Sequence, residues 1–495
     1  MMRAPQYLLA GCTAGLMLLT TGCMVGPKYS KPVVPAYTTP GLTVDKSTEP
    51  YKEADPDWHP ATPADATLRG DWWTIFNNTE LNRLAVLAGI QNQSIQSYAA
   101  RYEEALAQIG INRSQLFPAI GTQGLVQGVR YSQGRPYFNL TGNGAGSGAG
   151  VSDLQLPLTA AWEPDLWGRI RRMVNIAKEE TQAASADRVN AQLSVQTELA
   201  FDYFELRADD AQAKLLEDTV KDYQEALRIT TNRFEGGVSN ESDVFQAKTQ
   251  LQAALVQLQD IQVARAQNEH AIAVLVGQPP NSFSLRPEPL KGIPPGIPAG
   301  LPSSLLERRP DIAAAERRAM EANELVGIAR AAYFPTVGLS GAAGFESGSL
   351  ANFFNAGNFA YAVGPTVKYE IFDFGLRRNT SAQARAQFEQ ASADYRQSVL
   401  TSFQQVEDHL AALRILTQEA STQHDATIAA QGAQRIFDNR YVGGLDTYLQ
   451  VVTAQNAALQ NERNDIDIER RRMEVSVLLI KALGGGCTTG NLPKF

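Results

Sequence analysis

One stretch constrains the fold more than any other. After Gly168 the chain runs to Phe234 without a proline or an internal glycine. Its residues are mainly Ala, Leu, Gln, Glu, Asp and Arg, which favour or tolerate helix, and apolar positions return at intervals of three and four. A helix over 168–234 would be roughly 100 Å long, far beyond an ordinary globular helix. Gly236 and Gly237 break it, and a second helical run follows over 240–275. The arrangement then recurs. Arg233-Phe234-Glu235-Gly236-Gly237 returns 207 residues later as Arg440-Tyr441-Val442-Gly443-Gly444. Gly110-Ile111-Asn112-Arg113 with Phe117-Pro118 returns 217 residues later as Gly327-Ile328-Ala329-Arg330 with Phe334-Pro335. The difference between the offsets is an indel between strands. A repeat of this size divides the chain into two similar halves, 72–282 and 301–483, each a helix, two strands and two long helices.

In the first half the spacing predicts one helix from Thr79 to about Phe117, ended by Pro118. Strands follow at 119–131 and 151–163, then long helices at 168–234 and 240–275. The second half reads as a helix at 308–334, strands at 336–347 and 360–372, and long helices at 376–440 and 444–483. A proline-rich linker, 283–300, joins the halves, and 484–495 is a tail. The strands alternate cleanly. Leu154, Leu156, Leu158, Ala160 and Trp162 oppose Asp153, Gln155, Thr159 and Glu163, while Tyr361, Val363, Val367, Tyr369 and Ile371 oppose Thr366, Lys368 and Glu370. Strands this long suit a tilted membrane span with one face to lipid; the other reading is the edge of a water-soluble sandwich. Four strands cannot close a membrane barrel, because their edges would stay unpaired in lipid. Three copies would supply twelve.

The N-terminus reads as a signal peptide over 1–22, with Arg3 before an apolar run from Leu8 to Leu19. It ends at Gly22-Cys23, which makes Cys23 a candidate for acylation; the alternative is an ordinary secretory signal with a chance cysteine. Residues 23–71 form an extended segment rich in Pro, Thr and Asp. No stretch of about twenty apolar residues follows, so no mature membrane helix is expected. Net charge is −8 without a basic cluster, which argues against nucleic acid. Three cysteines, Cys12, Cys23 and Cys487, make no disulfide framework. His59, His270, His409 and His424 show no metal-ligand spacing, and no P-loop or nucleophile elbow is present. Gly142–Gly146 lacks the strand-to-helix setting of a nucleotide loop. No enzyme, metal or cofactor is expected beyond a covalent lipid on Cys23.

Function must then lie in the shape. Long helices joined by tight glycine turns make a rod or a tube, with Gly236, Gly237, Gly443 and Gly444 at its far tip. Asp446, Gln450 and Thr453 have the spacing of one helical face. With Tyr448, and with Glu241 and Asp243 of the first hairpin, they are the candidates for a gate. The other reading of Asp446 is a helix cap after Gly443-Gly444.

A series of short motifs runs in order along the chain: Gly22-Cys23-Met24-Val25-Gly26-Pro27-Lys28-Tyr29, Trp72-Trp73 with Phe76, Phe117-Pro118, and Asp165-Leu166-Trp167-Gly168-Arg169. The second half adds Arg308-Arg309-Pro310-Asp311-Ile312, Phe334-Pro335, Ile371-Phe372-Asp373 with Gly375, Arg440-Tyr441 with Gly443-Gly444, and Lys481-Ala482-Leu483-Gly484-Gly485. Together they resemble the motifs of the TolC-like outer-membrane efflux proteins, in particular the acylated channel lipoproteins that serve tripartite, RND-type pumps. The resemblance implies a mainly α protein with a membrane β-barrel part: a homotrimer whose 12-stranded β-barrel continues into a 12-helix tube. It implies partners in a periplasmic adaptor, an inner-membrane transporter and outer-membrane lipid, with the helices reaching into the periplasm. The chain would be a passive, gated duct for small molecules. An exit duct for secreted polypeptide and a non-conducting structural envelope trimer are the other readings. Where the family often carries Asp at the tip this chain has Thr453, which makes Asp446 the better candidate for a charged ring.

Overall fold

The computed structural model describes residues 24–32, 70–130, 151–292, 294–297 and 309–485. The signal peptide, Cys23, most of the segment to 69, the loop 131–150, the start of the second half at 301–308 and the tail with Cys487 lie outside the described residues.

Seven α-helices carry the architecture among the described residues. Helices α1 (Thr79–Gln91) and α2 (Gln93–Ser114) replace the single helix predicted from Thr79. The break is at Asn92. Its side-chain oxygen accepts from Ser94 N at 2.9 Å and Ile95 N at 3.1 Å, and its amide donates to the Leu275 carbonyl at 2.9 Å. Gly277 (φ +73°) presses on the same point: a Cβ there would lie 2.6 Å from the Gln91 carbonyl oxygen.

The long helices come as two matched pairs. Helix α3 (Arg169–Glu235) has 67 residues and α4 (Glu241–Leu275) has 35. After α5 (Pro310–Ala331), α6 (Leu376–Val442) again has 67 and α7 (Tyr448–Ala482) again 35. Each 67-residue helix starts the same way. Gly168 and Gly375 take left-handed conformations, and a carboxylate a few residues upstream meets the exposed N–H groups of the first turn. Asp165 accepts from Ile170 N at 3.0 Å and Arg171 N at 2.9 Å; Asp373 accepts from Gly375 N at 3.0 Å and Arg377 N at 3.2 Å.

Helices this long cannot share one core along their length. The largest apolar cluster sits partway along, where α1, α3, α4 and α7 converge with Trp72 and Trp73; it includes Leu81, Leu84, Leu199, Tyr203, Leu206, Ile272, Val276, Val477 and Ile480. Helix α5 packs between α3 and α6 and joins the halves. The segment 24–32 lies against these helices: Val25 N donates to the Trp167 carbonyl at 3.1 Å, Arg172 Nε to the Val25 carbonyl at 2.9 Å, and Lys31 pairs with Glu316 at 2.9 Å.

The strands form one antiparallel sheet. Strands β1 (Ala119–Thr122) and β2 (Leu125–Val129) both pair with β3 (Val151–Trp162), β3 pairs with β4 (Thr336–Ser347), and β4 pairs with β5 (Phe359–Lys368). The split of the first strand traces to Pro157. Thr122 faces Leu158 and Leu125 faces Gln155, so the register continues across a gap opposite a proline that has no N–H for the ladder. Pro157 faces Gly344 in β4, where an added Cβ would lie 2.3 Å from the Leu156 carbonyl oxygen. Gly344→Ala is therefore expected to wedge β3 from β4, the only pairing between the halves of the sheet among the described residues, at a cost of about 1–3 kcal/mol. A lowered thermal midpoint and faster amide exchange in both strands would register it.

The sheet corrects the expected fold class. It is open, with five strands in the order β1/β2–β3–β4–β5 and no pairing between its outer strands. The protein is a mainly α-helical chain with a small open sheet; no closed 12-stranded β-barrel continuing into a 12-helix tube and no membrane-spanning strand is found among the described residues. Strand length and alternation do not specify closure, which depends on edge partners. Alternation does not impose a buried face either, since β5 is exposed at nine of its ten residues. Tyr369 and Ile371, on the predicted strand by parity, lie past its end at Lys368, where the chain turns toward Asp373 and Gly375. Among the described residues no helix is long and apolar enough to cross a membrane.

Candidate functional site

The two glycine turns at the ends of α3 and α6 fold alike. Gly237 (φ +72°) and Gly444 (φ +74°) take the left-handed conformation that follows a helix terminus. Val238 N donates to the Arg233 carbonyl at 2.8 Å and Gly237 N to Phe234 at 2.9 Å. In the second turn Leu445 N donates to Arg440 at 2.9 Å and Gly444 N to Tyr441 at 3.0 Å. Gly236 and Gly443 are the last residues before each reversal.

The side chains around the turns differ between the halves. Arg440 Nε donates to Asp446 Oδ2 at 2.5 Å, closing the second turn on itself. This pairing raises the pKa of Arg440. The position of Asp446 is taken in the first half by Ser239, whose hydroxyl donates to the Thr230 carbonyl at 3.5 Å. Arg233, the counterpart of Arg440, thus has no carboxylate at the matching position of its own turn and reaches across to the other half. Its Nη1 donates to the Tyr441 carbonyl at 2.9 Å, and its guanidinium lies 4.7 Å from the centre of the Tyr441 ring. The Tyr441 and Tyr448 rings are 5.4 Å apart and pack with Ala247, Val451 and Val452. Tyr448 is 1 % exposed, and burial pushes its hydroxyl pKa up.

The remaining candidates fall around this knot. Asp446 lies before α7, not on it, and its carboxylate turns back to Arg440; the N-cap position is Thr447, which makes no side-chain cap bond. The face expected of Asp446, Gln450 and Thr453 is therefore not assembled. Gln450 and Thr453 are exposed on α7, and the Thr453 hydroxyl donates to the Leu449 carbonyl at 2.9 Å. Glu241 is exposed and Asp243 half-buried in the first turn of α4. Arg233 was not among the sequence candidates, although the repeat places it opposite Arg440. Cys23 lies outside the described residues; its neighbour Met24 rests on Gly168, where a Cβ would come within 2.6 Å of Met24 Cγ.

No group of three or more potential metal ligands occurs among the described residues. The family model for outer membrane efflux proteins matches residues 84–278 and 301–485, and the chain belongs to that family. It is similar to the probable efflux pump outer membrane protein TtgC of Pseudomonas putida, 30 % identical over 460 residues covering 92 % of each chain. It is also similar to the antibiotic efflux pump outer membrane protein ArpC of Pseudomonas putida, 30 % identical over 94 % of this chain and 93 % of that one. Among solved structures it resembles the outer-membrane channel OprN, with a TM-score of 0.81 and 28 % identity over 94 % of this chain and 99 % of that one. The MtrE outer membrane channel of Neisseria gonorrhoeae gives a TM-score of 0.78 at 26 % identity, over 94 % and 99 % of the two chains. The chain is an outer-membrane channel protein of this family, a passive efflux duct and not an enzyme.

Proposed function

We propose that the chain works as a homotrimer with a periplasmic adaptor and an inner-membrane, RND-type transporter, and that its helix tip is the gate of the duct. The observation that carries the gate is the cross-half tie of Arg233 to Tyr441, beside the Arg440–Asp446 pair. The cross-half tie must break or re-form if the two hairpins are to splay, while the Arg440–Asp446 pair holds the second turn in shape. Energy would come from the transporter. Val238, Phe245, Leu445 and Leu449 are exposed apolar side chains at the tip, the kind of surface an adaptor would cover. The names of the relatives, which include antibiotic and toluene pumps, favour small organic cargo over a secreted polypeptide. Single-channel recording in planar bilayers tests the reading. A low resting conductance that rises when the tip is loosened supports it; a protein that stays silent after tip substitution would favour the non-conducting structural trimer.

The lipid anchor is part of the same proposal. Met24 packs at the root of α3, beside the stack of Trp167 on Phe334 at 4.7 Å, at the junction of helices and sheet. Acyl chains on Cys23 would enter the outer membrane at that level. Cys23→Ser is expected to abolish incorporation of labelled palmitate; undiminished labelling would remove Cys23 as the site.

A further inference from the structure

Just behind the tip, α3, α6 and α7 leave a groove of about 330 Å³ whose lining includes Asp222, Asp438, Tyr441 and Gln455. Glu225 also lines it but is bonded to Arg228 at 2.8 and 2.5 Å. Among the described residues no lysine or arginine lines the groove. Two polar atoms in its lining have no partner, the Tyr441 hydroxyl and Gln455 Oε1, each on a side chain that is 7 % exposed. A buried acceptor left without a donor is costly.

Asp438 accepts the Gln455 amide at 3.3 Å. Burial raises its carboxyl pKa, and the charge of Asp222 adds to the rise, while hydrogen bonds from Gln455 and Gln434 oppose it. Water could meet the orphaned acceptors but could not supply the missing positive charge. A metal ion is disfavoured by the absence of a ligating cluster among the described residues. A protonated amine offers both charge and N–H donors. The lining also includes the apolar side chains Ala226, Ile229 and Val451, which suit a short methylene chain.

We propose that this groove is a binding site for a small organic diammonium ion. One ammonium would sit among Asp438, Gln455 Oε1 and the Tyr441 hydroxyl, and the second at the exposed rim beside Asp222. The occupant would join α3 of the first half to α6 and α7 of the second. The site does not depend on the gate reading, because binding can be measured without conductance.

The test is a calorimetric titration of the purified full-length protein in detergent with putrescine at constant ionic strength, with sodium and magnesium chloride as controls. Saturable binding is expected, weakened about tenfold or more by Asp438→Asn and by Asp222→Asn, the size expected for one lost ion pair. Tyr441→Phe, which removes only the hydroxyl, is expected to weaken binding less. Asp222 lies at the surface, so its variant keeps the test decisive should Asp438→Asn misfold. Heats equal to those of the salt controls, or one affinity shared by wild type and Asp222→Asn, would overturn the site.

Discussion

Arg233→Ala is expected to raise the resting conductance of the reconstituted protein more than any other single change at the tip. The guanidinium does two things that no neighbour duplicates in the described structure: it donates to the Tyr441 carbonyl at 2.9 Å and covers the Tyr441 ring at 4.7 Å. A charge-assisted hydrogen bond and a partly desolvated cation–π contact together amount to about 2 kcal/mol. Losing that much favours local splaying of the two turns by about 30-fold in each copy. Arg233→Lys keeps the charge and loses the planar fork, so it should lie between wild type and alanine. The Arg440–Asp446 pair is more open to solvent, with side-chain exposures of 52 % and 18 %, and its loss should open the tip less. If Arg233→Ala conducts like wild type while Asp446→Ala conducts more, the second turn is the latch and the cross-half tie only packs the tip.

What could be read from the chain and what could not divide along a physical line. The long helices are written into every turn of sequence, by composition and by the absence of proline, and the glycine pairs mark where they must reverse. The break at Asn92 is not local: its amide reaches the Leu275 carbonyl, 183 residues away in sequence. Strand alternation is likewise local, whereas closure depends on edges the strand itself does not encode, and the expected barrel gives way to an open sheet. The tip divides in the same manner. Tyr448 and Asp446 stand beside a glycine turn and attract notice as polar groups near a reversal. Yet helical spacing placed Asp446 on a face with Gln450 and Thr453, and the helix begins only at Tyr448. Arg233 gains its importance from what its repeat partner has and it lacks, a carboxylate six residues on. That contrast exists only when the halves are compared.

Asp210→Ala is expected to be the most destabilising single substitution outside the apolar cores, by about 3–5 kcal/mol, because it leaves two guanidinium groups without their shared carboxylate. The Asp210 side chain is 1 % exposed. One oxygen accepts from Arg265 Nε at 2.6 Å; the other accepts from Arg207 Nη1 at 2.8 Å and Glu288 N at 2.9 Å. The same arginines hold the linker, with Arg265 Nη2 donating to the Leu285 carbonyl at 2.7 Å and Arg207 Nη1 to that of Arg286 at 2.9 Å. Leu285 is itself part of the largest apolar cluster, so the polar knot and the core fail together. Asp210→Asn retains an acceptor for one arginine and should lose less. A large drop in thermal midpoint, with faster amide exchange at Leu285, Glu288 and Leu290, is the expected result. Fast exchange there with an unchanged midpoint would mean that the linker is a separable strap and that the long helices stand without it.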